Sequence, residues 1–155
     1  MKCIITIELG TNAVRVFAFD LKGNVIASMK GHYPTFHTEP DYSEQDPEQI
    51  FITMLYVLKN LLNEKIHPKK YKVACICFSA YMHSVLAVDK MGVPLGNAIT
   101  WADNRAKKEA QALKNSTDGK AIYTATGTPI HPMSPLLKIA WLNNKDPERF
   151  KQTSK

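Results

Sequence analysis

The sequence predicts an α/β fold: a β-meander, then a helix, then a parallel strand. Three observations predict it. Two apolar, β-branched runs, Ile4 to Leu9 and Ala13 to Asp20, flank Gly10-Thr11-Asn12, so the chain must reverse between them. A second turn, Asp20-Leu21-Lys22-Gly23-Asn24, leads into a third run of strand character. A helix start at Pro47 is then followed, after a break, by the short apolar run Tyr71 to Phe78.

Residues 3–9, 13–20 and 24–31 are the predicted strands. A polar stretch follows, and Asp46-Pro47-Glu48-Gln49 then supplies an N-cap, a proline at the first helical position and a capping-box glutamine. Phe51, Met54, Leu55, Leu58, Leu61 and Leu62 recur at three and four, which predicts one buried face on a helix ending near Lys65, before Pro68. Residues 71–78 read as a buried parallel strand. Ser79-Ala80-Tyr81-Met82-His83 leaves its carboxyl end, where α/β sheets place ligands. Val85 to Asp89 and Val93 to Ile99 read as a hairpin around Lys90-Met91-Gly92. Trp101 to Arg105 reads as the opening of a helix running to about Lys114, with Asp103 as its cap. The segment from Gly127 to Pro135 reads as a rigid loop, after which Ser134 and Pro135 start a helix carrying Leu136, Leu137, Ile139, Ala140 and Leu142. Asp146-Pro147-Glu148-Arg149-Phe150 repeats the start signature and the sequence stops five residues later, so a truncated chain is expected.

A chain of 155 residues, 45% hydrophobic and 22% charged, suffices for a domain with a real core. No apolar stretch approaches the roughly 20 residues of a membrane helix, and the first residues carry a strand pattern instead of a signal peptide, so a cytoplasmic protein without a membrane partner is expected. Cys3, Cys75 and Cys77 lie in strand-like runs without metal-ligand spacing, and are expected to be buried free thiols. The net charge of +6 comes from scattered lysines with no aromatic-interleaved or arginine-rich block, so the expected partners are anionic small molecules and not nucleic acid.

The first hairpin carries the densest chemistry. Gly10 permits a positive φ or a close phosphate approach, and the turn offers backbone N–H groups and the Thr11 hydroxyl to an anion, with Asn12 completing the turn. Glu8 beside it can hold a hydrated Mg²⁺ against phosphates, and Arg15 adds positive charge. The same residues also satisfy an ordinary hairpin with a glycine turn.

This hairpin resembles the first phosphate motif of the sugar kinase, Hsp70 and actin superfamily, in which an Asp precedes a Gly-Thr turn. Here that position is Glu8, one methylene longer. Four blocks in order, the Gly10-Thr11 hairpin, Ser43-Glu44-Gln45-Asp46-Pro47, Met82-His83 and Trp101-Ala102-Asp103-Asn104-Arg105, resemble the FGGY family of carbohydrate kinases. The wording from Phe78 to Ser84, Ile99 to Arg105 and Gly127 to Leu136 is most similar to its gluconate kinases, with xylulose and glycerol kinases as near alternatives. The resemblance implies a ribonuclease-H-like fold, with residues 1–78 as meander, helix and parallel strand of a first domain and 79–155 as an inserted substrate-side segment. It implies ATP-dependent phosphorylation, with Mg²⁺, of a sugar acid such as D-gluconate to 6-phosphogluconate. It assigns phosphate contacts to Gly10, Thr11, Asn12 and Arg15, metal to Glu8, and sugar contacts to Met82, His83, Trp101, Asp103 and Arg105. The chemistry agrees: a carboxylate accepts from vicinal hydroxyls, an indole offers an apolar face, and a guanidinium binds a carboxylate in bidentate fashion. His131 and Lys138 are weaker carboxylate partners.

Family members run to about three times this length, and their catalytic Asp, second phosphate motif and adenosine pocket lie beyond residue 155, so this stretch by itself is expected to be catalytically inert. Open strand edges are expected to favour a homodimer. A sugar-binding module without catalysis is the reading from a different class.

Overall fold

The structure, a computed structural model, describes residues 1–67 and 69–155. In chain order its elements are β1 (Lys2–Leu9), β2 (Ala13–Asp20), β3 (Val25–His32), β4 (Glu44–Gln45), α1 (Pro47–Asn60) running into a π-helical turn (Leu61–Lys65), β5 (Lys72–Ala80), β6 (Ala98–Ile99), α2 (Lys107–Lys114), α3 (Thr117–Thr126), α4 (Pro135–Lys145) and α5 (Pro147–Gln152). They form two compact units, Met1–Pro34 with Pro47–Tyr81, and Thr35–Asp46 with Met82–Lys155.

In the first unit a four-stranded sheet has the order β3-β2-β1-β5, with β1 to β3 antiparallel as a meander and β5 parallel to β1. The three meander strands lie within one residue of their predicted bounds. Alternation along β1 and β2 sends Cys3, Ile5, Ile7, Val14, Val16 and Ala18 into a core closed by Val57, Leu61 and Ile66. Gly31 lets α1 approach β3, because a Cβ there would stand 2.7 Å from Val57 Cγ2 and 2.8 Å from Thr53 Cγ2. The helix ends as predicted near Lys65, in a turn whose last N–H, on Ile66, donates to Leu61 O at 3.1 Å. Pro68, expected to mark that stop, lies outside the described residues.

Two expectations about burial are corrected. Phe51 and Leu55 are exposed, and the inward face of α1 is Ile50, Met54, Val57 and Leu58. Strand β5 is exposed along its whole length instead of buried, taking Cys75 and Cys77 with it, while Cys3 is buried. The cause is placement: α1 packs over β2 and β3, so the outer strand of the sheet is left uncovered.

In the second unit β4 pairs antiparallel with β6, and α2 packs against α3 and α4 around Ala106, Ala110 and Leu137. The predicted hairpin over 85–99 is reduced to bridges at Val85–Ile99 and Val88–Pro94, with a turn in which Asp89 Oδ1 accepts from Met91 N and Val93 N. Helix α2 starts at Lys107 and not near Trp101, and Asp103 is not its cap. Helix α3, absent from the sequence reading, is capped by Ser116, whose hydroxyl accepts from Gly119 N at 3.1 Å. Leu136 and Ile139 of α4 are exposed, whereas Leu137, Lys138 and Leu142 are buried. The final signature does deliver a helix, α5, capped by the Asp146 carboxylate.

Candidate functional site

Two groups of residues carry chemistry, one in each unit. In the first, the register of β1 against β2 sets Glu8 opposite Arg15, and Arg15 Nη1 donates to Glu8 Oε1 at 2.9 Å with both side chains nearly half exposed. The turn is closed by Gly10 N donating to Ala13 O at 3.0 Å, and Tyr33 OH donates to Gly10 O. Burial pushes the Tyr33 phenol up to about 12. Gly10 is not in the left-handed region, so a positive φ is not what calls for a glycine here. A Cβ there would meet Ala13 O at 3.2 Å, Arg15 Nη1 at 3.3 Å and Glu8 Oε1 at 3.6 Å.

The parallel pairing of β5 with β1 brings Ser79 beside Glu8, and Tyr81 N donates to Leu9 O at 3.1 Å. A concavity of about 400 Å³ results, lined by Glu8, Gly10, Thr11, Asn12, Arg15, Ser79 and Tyr81 among others. All five residues predicted for the hairpin therefore meet at one open hollow. Among the described residues no cluster of three or more His, Cys, Asp or Glu is arranged to hold a metal ion. The donor set suits a hydrated magnesium ion shared with phosphate oxygens, which needs only one or two protein carboxylates, and Glu8 supplies one.

In the second unit, Val85 and Ile99 exchange both backbone hydrogen bonds, at 2.9 and 2.8 Å. Two residues further along this antiparallel register, His83 and Trp101 fall at the same end of the bridge, which joins two of the predicted blocks. Met82 is 71% exposed and Trp101 43%, so both have surface to offer, and His83 is half-buried. His83 adopts φ +64°, the left-handed region, without being a glycine. Its carbonyl accepts from Lys138 Nζ at 2.7 Å, and the same ammonium donates to Met133 O at 2.7 Å. Lys138 is fully buried, and burial drives its amine down to about 8, with Asp103 opposing that shift and Arg105 adding to it.

Asp103 and Arg105, two of the residues expected to meet the sugar, are buried and joined to each other. Asp103 Oδ1 accepts from Arg105 N at 3.0 Å and Nε at 2.9 Å, and Oδ2 accepts from Arg105 Nη2 at 2.8 Å and Ser43 N at 2.6 Å. A carboxylate has about four acceptor positions, and all are taken. Arg105 Nη2 also donates to Glu44 Oε1 at 2.6 Å, and its guanidinium lies 3.7 Å from the centre of the Tyr42 ring and 4.9 Å from that of Trp141. Burial pulls the Arg105 guanidinium down, but the hydrogen bonds to Asp103 and Glu44 outweigh it and the net shift is upward. Ser43, Glu44, Tyr42 and Trp141 were not read as site residues from the sequence, though Ser43 and Glu44 sit in one of the four quoted blocks. Ser84 was also missed: its hydroxyl is buried next to His83 with no hydrogen-bond partner among the described residues.

Residues 3–155 match the N-terminal domain of the FGGY family of carbohydrate kinases. The chain is 39% identical over 142 residues to a gluconokinase of Bacillus subtilis (strain 168), covering 92% of this chain and 27% of that protein. It superposes on a gluconate kinase structure from Lactobacillus acidophilus with a TM-score of 0.92 at 38% identity, over 99% of this chain and 30% of the other. A ligand-bound xylulose kinase from the same organism gives 0.93 at 38% identity, over 100% and 31%. The chain thus spans about a third or less of the length of these relatives.

Proposed function

The chain belongs to the FGGY family of carbohydrate kinases, and from that premise we propose that the protein transfers the γ-phosphoryl of ATP to a sugar acid, converting D-gluconate to 6-phospho-D-gluconate. The observation that supports it most is the hollow at the first hairpin, where Gly10 keeps clear the space a Cβ would fill and a carboxylate, an arginine and a threonine converge.

In this reading the backbone N–H groups of residues 10–12 and the Thr11 hydroxyl hold phosphate oxygens. The half-exposed Arg15–Glu8 pair contributes about 0–1 kcal/mol, so it opens at little cost when a phosphate offers Arg15 a stronger partner. Glu8 is then the residue that would hold Mg²⁺, which when bound neutralises phosphate charge. Met82, His83 and Trp101 meet the sugar, with Ser84 as a further hydroxyl within the loop. Asp103 and Arg105 hold the segment that carries Trp101, through Ser43 and Glu44. In the transfer, a sugar hydroxyl oxygen bonds to the γ-phosphorus as the bond to the ADP oxygen breaks, and the hydroxyl proton leaves to a base that the family resemblance expects beyond residue 155.

A second reading, xylulose as acceptor, is favoured by the xylulose kinase structure that matches at the same 38% identity. The test is ADP release by the protein expressed from its complete reading frame, with ATP and Mg²⁺, offered D-gluconate, xylulose and glycerol in parallel. Preference for gluconate supports the first reading and preference for xylulose the second. Sugar binding by calorimetry without ADP release for any of the three would replace both with a non-catalytic binding module.

A further inference from the structure

We propose that Lys138 is a positioning residue for the sugar loop: by donating to the carbonyls of His83 and Met133 it fixes the left-handed turn at His83, and so sets how the loop meets a polyhydroxy acid. The proposal rests on the reading of Met82 and His83 as sugar contacts given above.

A fully buried lysine on an otherwise apolar helix face, between Leu137 and Leu142, is costly unless its donors are used. Here two of the three donors go to carbonyls of separate loops, one at residue 83 and one at residue 133, fifty positions apart in sequence. No carboxylate forms an ion pair with Lys138 among the described residues, and its described hydrogen bonds go to backbone, while Asp103 and Arg105 act on its charge from further off. His83 needs such a restraint. A non-glycine residue at φ +64° persists only where its surroundings fix it, and the carbonyl held by Lys138 belongs to that same residue. The arrangement also couples α4 to the loop, because any shift of the helix moves the ammonium and the His83 carbonyl follows.

The experiment compares Lys138→Met with Leu142→Ala, a buried truncation on the same helix that leaves the ammonium in place, in the protein expressed from its complete reading frame. Lys138→Leu, which also removes every donor, serves where the methionine variant does not fold. Backbone ¹³C-carbonyl labelling of histidine reads the clamp directly, the His83 resonance being identified by its loss in His83→Gln. The expected result is a displaced His83 carbonyl resonance and roughly tenfold weaker D-gluconate binding in Lys138→Met or Lys138→Leu, as for loss of a charge-assisted hydrogen bond. Leu142→Ala should lower the melting temperature and change neither readout. An unmoved His83 resonance, or an affinity loss no larger than that of Leu142→Ala at matched stability, overturns the proposal. If the unsubstituted protein binds no sugar or sugar acid, the functional reading fails, and the carbonyl resonance still decides the clamp by itself.

Discussion

Asp103 and Arg105, two positions apart in sequence, are joined by two side-chain hydrogen bonds of 2.9 and 2.8 Å in a place closed to water. Breaking a buried pair leaves an uncompensated charge, and Arg105 would retain only Glu44. Asp103→Asn is therefore expected to lower unfolding stability by about 3 kcal/mol in urea titration. Arg105→Lys should cost nearly as much, since an ammonium can neither bridge both carboxylate oxygens nor stack on Tyr42.

Gly31 is where α1 comes closest to the sheet. Gly31→Ala places a methyl group against Val57 and Thr53 at distances no packed interior accepts, and the expected loss is about 1–3 kcal/mol with an unchanged denaturant slope. Gain of stability in the same titration would show that α1 is free to shift outward.

Two buried groups give the stability profile opposite slopes at alkaline pH. The Lys138 amine, lowered to about 8 from an ordinary 10.5, holds its proton less tightly folded than unfolded, so its burial cost is full below 8 and is relieved as pH rises towards 10.5. The Tyr33 phenol, raised to about 12 from 10, works the other way: its contribution is full below 10 and is lost as pH rises through 12. Relative to Lys138→Met, the unsubstituted protein should gain stability between pH 8 and 10.5. Relative to Tyr33→Phe, it should lose stability above pH 10. Denaturant midpoints taken across that range check both signs.

Strand β5 ends the sheet with Ile76 and Phe78 exposed at 46% and 64%, an open edge of the kind that pairs with other chains. Sedimentation of the 155-residue chain is expected to show concentration-dependent association, weakened by Phe78→Lys. A monomer at all concentrations would contradict this.

Gly10→Ala tests the hollow. Because Gly10 has no left-handed backbone, alanine is conformationally allowed and the added methyl acts by occupying space. The methyl also presses on Ala13 O, so the hairpin should lose a little stability while binding of Mg·ATP, followed by calorimetry, weakens by more than that loss explains. Unchanged nucleotide affinity would return the hairpin to a purely structural role.

The meander was legible because its signals are local: alternation and glycine turns fix strand bounds to a residue. The inward face of α1 was not, since Phe51, Ile52, Leu55 and Tyr56 make a second apolar stripe beside Ile50, Met54, Val57 and Leu58, and spacing alone does not choose between them. Asp103 looked like a helix cap for the same reason. What claims its carboxylate is Arg105 two residues on and Ser43 sixty residues back, and the second of these partners has no local signature. That Glu8, Gly10, Thr11, Asn12 and Arg15 share one hollow was legible because a hairpin gathers its own neighbours. Lys138 was legible as a charged candidate but its two carbonyl partners were not, and Ser84 was not read at all, because these roles depend on a loop and a helix brought together only by the fold.

The second unit begins with a short stretch, residues 35–46, that the chain leaves and rejoins only at Met82. During synthesis at about 5–20 residues per second, Ser43 emerges roughly 3–12 s before Asp103 can reach it. The first unit is complete only once β5 has emerged at about residue 81, and from their own synthesis until Asp103 follows, Tyr42, Ser43 and Glu44 wait as unclaimed polar and aromatic groups on a nascent chain. The ribosome therefore interleaves the two units, and slow codons between residues 82 and 103 would prolong the exposure of this segment after the first unit is complete.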